Sequence, residues 1–118
     1  MANKSVKQVL PSLREKKRYL AFEIISESKI DNINAVSDAI IAAVHGFIGS
    51  LGAAKAGILV LQDKWNSKSQ KGVIRVGHKH VDQLKGSLTL IDKINNTKTI
   101  VRSIGLSGVL NKVTDLIQ

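Results

Sequence analysis

Apolar and polar positions change their period several times along this 118-residue chain, and each change marks an element. In residues 17–26, Leu20, Phe22 and Ile24 alternate with Tyr19, Ala21 and Glu23, the period of two that predicts a strand with unlike faces. Arg18 opens the face that Leu20 continues. The period then lengthens. Ile33, Val36, Ile40, Ala43, Val44, Phe47, Ile48 and Leu51 recur at helical spacing; Asp31 or Asn32 can cap the start, and Gly49 and Gly52 punctuate the end. Residues 55–62, KAGILVLQ, predict a second strand, and the polar stretch 63–71, with Asn66, Ser67 and Ser69, a loop or hairpin connection. Residues 72–78, GVIRVGH, predict a third strand. A second amphipathic helix follows over about 79–92, with Val81, Leu84, Leu88 and Ile91 on one face. INNTK at 94–98 is a turn, and KTIVRSI at 98–104 a fourth strand. GLSG at 105–108 breaks that strand, and Val109, Val113, Leu116 and Ile117 form the stripe of a last helix.

The order β-α-β-β-α-β followed by α predicts an α+β sandwich of the ferredoxin-like kind, also the plan of RNA-recognition motifs, with an extra C-terminal helix. Four antiparallel strands carry two helices on one face. The last helix must bury its stripe either on the second face of the sheet or on a partner. Pro11 and Ser12 interrupt any continuous element near the start. Residues 1–16 therefore read as a basic N-terminal arm, and 17–118 as one domain.

Composition narrows the classes. The hydrophobic fraction of 43% is enough for a core, and with aromatics limited to Tyr19, Phe22, Phe47 and Trp65 that core is aliphatic. There are no cysteines, which excludes disulfides, thiolate metal sites and a cysteine nucleophile. No apolar run in the sequence approaches the ~18 residues of a membrane span, and no signal-peptide core follows the basic start. A cytoplasmic protein is expected.

The net charge of +9, with a pI near 10.1, is unevenly placed. Residues 1–18 carry six basic and one acidic side chain; 19–62, two and four; 63–85, six and two; 86–118, four and two. Two basic blocks flank a slightly acidic middle, the signature of a cationic face whose commonest partner is nucleic acid.

Catalytic sets are hard to find. His78-x-His80 has the spacing of a metal pair, but no third ligand stands near, and it reads as a solvated strand-to-helix junction. Ser107 sits between glycines without a histidine and acid beside it, and reads as a cap. No nucleophile elbow, Walker loop or dinucleotide glycine fingerprint occurs. SESKIDN at 26–32 lacks the arginine that an acylphosphatase needs after its first strand.

RNA binding fits better. KGVIRVGH at 71–78 lies where an RNA-recognition motif carries [K/R]-G-[F/Y]-[G/A]-F-V-x-[F/Y]; Lys71, Gly72 and Val76 match, but the aromatic positions hold Val73, Arg75 and His78. Base stacking needs those aromatics. RNA contact should then run through phosphates, with little base readout.

LPSLREKKRYLAFEIISE at 10–27 resembles the opening of the archaeal ribonuclease P protein component 2 family, whose eukaryotic counterpart is a small subunit shared by ribonucleases P and MRP. GAAKAGILVLQ at 52–62, GVIRVGHKHVDQLKGSLTLI at 72–91 and SIGLSGVLNK at 103–112 continue the resemblance, which covers about residues 8–116. His78 and His80 stand where the family pattern is more basic and aromatic. The resemblance implies a protein subunit of the ribonuclease P ribonucleoprotein, the endoribonuclease that removes 5′ leaders from precursor tRNA. Hydrolysis is then expected in the RNA subunit with its bound Mg2+, with no catalytic residue and no cofactor in this chain. It implies as partners ribonuclease P RNA, precursor tRNA through the complex, ribonuclease P protein component 3, and a second copy in a two-plus-two assembly. On this reading Arg14, Lys16, Lys17 and Arg18 grip the RNA backbone, and Lys71, Arg75 and Lys79 extend that surface. A general phosphate-binding, ribosome-associated RNA-binding protein is the alternative, and a small-anion regulatory domain a third reading.

Overall fold

The alternation that opens the chain builds a central strand with two different coats. In the computed structural model, which describes residues 16–118, that strand is β1, Lys17–Ser26. It is followed by α1 (Ile33–Ala56), β2 (Leu59–Val60), β3 (Lys71–Gly77), α2 (Val81–Leu88), β4 (Lys93–Ile94), β5 (Thr97–Ser107) and α3 (Leu110–Thr114), with short 3₁₀ turns at Gln62–Lys64, His78–His80 and Asp115–Ile117. The sheet is antiparallel in the order β2-β3-β1-β5-β4, the ferredoxin-like arrangement with one short strand added at the edge. The arm assigned to residues 1–16 lies, apart from Lys16, outside the described residues.

Leu20, Phe22 and Ile24 point to the helix-covered face. They pack with Ile74 and Val76 of β3 against Val36, Ile40 and Val44 of α1 and Leu84 and Leu88 of α2. The opposite face settles the place of the last helix: Val113 and Ile117 are buried on Ala21 and Val73, with Tyr19, Leu61, Ile104 and Leu110 around them. The end of the chain is pinned there, because the Ile117 carbonyl accepts from Asn66 Nδ2 (2.9 Å) and Ser69 Oγ (2.8 Å). Val109 and Leu116, of the same predicted stripe, are exposed.

Several boundaries differ from the sequence reading. Asn32 caps α1 by accepting the Asn34 N–H at 2.9 Å. The helix does not end near Gly49 and Gly52. Gly49 (φ 76°, ψ 172°) only kinks it, and it runs on to Ala56, where Gly57 takes the left-handed cap (φ 63°). Lys55 and Ala56 are good helix formers, and the expected strand over 55–62 shrinks to Leu59–Val60. At the other end, GLSG does not break β5. The strand passes through Gly105 to Ser107, and a bulge opposite Ala21 and Phe22 takes up the extra residue. Asn95 and Asn96, at φ 53° and 63°, make a two-residue turn joining β4, a fifth strand absent from the prediction, to β5.

Contrary to the sequence reading, α1 is long and apolar enough to cross a membrane by length and composition. Its inner residues Val36, Ile40 and Val44 instead dock on the sheet, while Phe47 and Leu51 stand exposed.

Candidate nucleic-acid interface

The register of β1 and β3 decides which basic residues meet. Lys17 lies opposite Gly77, Arg18 opposite Val76 and Tyr19 opposite Arg75. The chain then turns through His78–His80, and the His78 N–H donates to the Lys16 carbonyl at 2.9 Å, with Nδ1 3.1 Å from the same oxygen. This puts Lys16, Lys17, Arg18, Arg75 and Lys79, with His78 and His80, at one end of the sheet. Arg14 lies outside the described residues.

Each side chain sits differently. Lys16 and Lys79 are exposed; Lys17, Arg18 and Arg75 are half-buried. The Lys17 ammonium lies over Gly57, 3.2 Å from where a side chain there would begin, beside the C-terminus of α1. A cation there complements the helix dipole, so Lys17 serves the fold as well as the surface. The Arg18 guanidinium lies against Gly108 at the exit of β5, 3.2 Å from where a side chain there would begin. Arg75 stands between Tyr19 and Leu59 in the sheet, its Nε buried without a hydrogen-bond partner among the described residues.

Lys71 does not join this group. It opens β3, six residues before Gly77, about 20 Å away at ~3.3 Å per residue. Its neighbour in register is Glu23, which is already bonded to Arg102 (Oε1 to NH2 2.7 Å, to Nε 2.8 Å). The sequence reading also passed over Lys55. It stands in the last turn of α1, two residues before Gly57, at the same end as Lys17. A strand predicted over 55–62 hid it; helix-forming Lys55 and Ala56 ahead of a glycine were the signal.

The face that would stack bases in an RNA-recognition motif is closed. Val73 and Arg75 occupy its aromatic positions, and α3 lies over Val73. Among the described residues no three histidines or carboxylates gather as metal ligands. Ser107 Oγ accepts the Val109 N–H at 3.0 Å, but Ser107 is still in β5 and Val109 is the N-cap of α3 without a side-chain bond, so the helix cap read from GLSG does not form. What remains among the described residues is a cluster of cations on fixed backbone in which the signature's three aromatic positions are not aromatic and Tyr19 is the ring beside Arg75. It can neutralise phosphates and lacks the signature's stacking positions.

Comparison with known proteins places the chain in a family. The model of the Rpp14/Pop5 family matches residues 18–117. The chain is similar to ribonuclease P protein component 2 of Thermococcus gammatolerans, 40% identical over 107 residues that cover 91% of this chain and 87% of the relative. The protein of the same name from Pyrococcus furiosus is 38% identical over 107 residues, with the same coverage. That from Methanosarcina barkeri is 34% identical over 110 residues, 93% of this chain and 78% of the relative. Among solved structures, a chain in the cryo-EM structure of yeast ribonuclease MRP matches with a TM-score of 0.62 at 17% identity, over 81% of this chain and 76% of that one, a likeness of fold.

Proposed function

The chain belongs to the Rpp14/Pop5 family, and we infer that it acts as a protein subunit of a ribonuclease P ribonucleoprotein, holding the RNA through phosphates at the Lys16–Arg18 end of the sheet. The enzyme is a tRNA-processing endoribonuclease, and the part proposed for this subunit is to support the RNA rather than to cleave. The observation that carries the reading is the convergence of Lys16, Lys17, Arg18, Arg75 and Lys79 at one end of a sheet whose stacking face is closed by α3. Charge fixed there lowers the repulsion between packed phosphates and so lowers the Mg2+ needed to fold the RNA. Catalysis and bound Mg2+ belong, on this reading, to the RNA. Precursor tRNA meets the chain only through the complex. Ribonuclease P protein component 3 and a second copy of the chain are the proposed protein partners. The exposed Phe47 and Leu51 of α1 give an apolar surface for the first of these.

The test is precursor tRNA cleavage by ribonuclease P RNA at low Mg2+, with this protein and its partner component. Leader removal should be rescued by the wild-type protein and lost without RNA. Lys16→Ala, Lys17→Ala and Arg18→Ala together should lower the slope of log affinity against log salt by about 2, at roughly 0.7–0.9 for each phosphate contact. Rescue by the triple variant equal to wild type would refute the assignment of this end. RNA binding without any rescue would favour the general RNA-binding alternative.

A further inference from the structure

The outer edge of β5 is long and open. The strand has 11 residues, and β4 pairs only with Thr97 and Lys98. Beyond them, among the described residues, no strand covers it. Two hydrogen bonds fix which way its backbone points. The Ile24 N–H donates to the Gln70 carbonyl at 2.8 Å, on the β3 side. Ile24 and Val101 are opposite in register, so their backbone groups point away from each other. Thr99, two residues earlier, donates outward to the Asp92 carbonyl at 2.9 Å. The same alternation turns the N–H and C=O of Val101 and Ser103 to the outer edge.

A groove of about 410 Å³ runs beside these groups, between Lys85 and Leu88 of α2 and the stretch Ile100–Ser103 of β5. It has an apolar wall in Leu88, Ile91 and Val101, while Ile100 beside it is 61% exposed. Its charges are positive: Lys85 on the helix wall and Arg102 on the strand. Arg102 is bound to Glu23 through one carboxylate oxygen, and its side chain is still 60% exposed, so the fork of a guanidinium retains free donors. Arg18 lies where the edge ends, at Gly108. Two carboxylates, Glu27 and Asp92, line only the adjoining cavity at the opposite end.

We propose that this edge takes up an extended acidic segment of a partner protein as an added strand. Backbone pairing runs through Val101 and Ser103. The segment's carboxylates lie on the Arg102 side of the sheet, its apolar side chains enter the groove, and Lys85 on the groove wall adds positive field. The cations select the occupant. A basic segment is repelled, and a second copy of this edge would set Arg102 and Lys98 against their like. The bulge beside Ile104 and those same cations are the usual guards against edge-to-edge aggregation. The proposal does not depend on the RNA reading, because the residues it uses lie apart from Lys16, Lys17 and Lys79.

The probe is a fluorescein-labelled nine-residue peptide of alternating glutamate and valine, titrated against the full chain by anisotropy, with an alternating lysine–valine peptide beside it. The acidic peptide should bind at least tenfold more tightly. Ser103→Pro removes one outward N–H at a position where an edge strand tolerates proline, and should weaken binding about tenfold by that loss. Lys85→Glu, an exposed change that leaves the edge intact, should weaken it as well. Saturating peptide should slow hydrogen exchange at the Val101 and Ser103 amides. Equal binding of both peptides, or unaltered exchange at those two amides, would overturn the proposal. So would displacement of bound peptide by an oligouridylate, which would make the groove a phosphate site. The double alanine variant of Lys16 and Lys17 should keep peptide affinity while losing RNA affinity, which separates failure of this proposal from failure of the RNA reading.

Discussion

Gly72 matches the glycine of an RNA-binding signature, yet its surroundings give it another reason to be there. A Cβ at position 72 would lie 2.7 Å and 2.9 Å from Cζ and Cε1 of Phe22, and 3.2 Å from Cε3 of Trp65. Phe22 is fully buried, and its ring stacks on Trp65 with centroids 6.2 Å apart and planes at 21°. That ring is held by the core around it and cannot withdraw cheaply. Gly72→Ala therefore overpacks the core, a change that costs about 1–3 kcal/mol. Alanine also restricts the unfolded chain, which returns about 0.4–1 kcal/mol. At mid-range values, about 2 less about 0.7, the net loss is about 1.3 kcal/mol, a fall in Tm of about 4–8 °C at roughly 3–6 °C per kcal/mol for a domain of this size. Thermal melts followed by circular dichroism measure it, with Phe22→Leu as the partner substitution. The double variant should be more stable than the two single losses predict, by at least ~0.5 kcal/mol, because the smaller side chain makes room for the new methyl. RNA affinity of the folded variant should match wild type. Stability of Gly72→Ala within ~0.5 kcal/mol of wild type, or strict additivity with Phe22→Leu, would refute the packing account.

Three further outcomes follow from the same structure. Lys71→Ala should leave the salt slope of RNA binding nearly unchanged, since Lys71 stands apart from the cationic end and beside Glu23; filter binding at several salt concentrations checks this. Gln70 is buried with φ 56°, accepts the Ile30 N–H (2.9 Å) and donates to the carbonyls of Ile30 (3.0 Å) and Ser67 (2.8 Å). Gln70→Leu strips partners from all three and should cost about 2–4 kcal/mol in urea unfolding. Gly49→Ala puts a side chain into backbone that only glycine adopts readily, and should lower stability by about 1–3 kcal/mol in the same assay.

The cationic end was partly legible in advance. The cluster around Lys16–Arg18 and the missing aromatics at Val73, Arg75 and His78 are one-dimensional facts, and they pointed to phosphates rather than bases. That Arg75 and Lys79 join Lys17 and Arg18 while Lys71 does not depends on the pairing of Lys17 with Gly77. Register is a relation between two strands, and neither strand's own pattern contains it.

The same division runs through the fold. Local periodicity determined that β1 has two unlike faces, that α1 begins just after Asp31 or Asn32, and that two βαβ units follow one another, because each depends on residues within a few positions of one another. Where α1 ended was a contest between neighbouring propensities, and Gly57 won it over Gly49 and Gly52. The destination of the last helix was decided only by tertiary structure. Its stripe suited a sheet or a partner equally until Ala21 and Val73 offered small side chains to Val113 and Ile117, and Asn66 and Ser69 held the Ile117 carbonyl. Burial requires a surface of complementary shape, and that surface exists only after distant segments have paired.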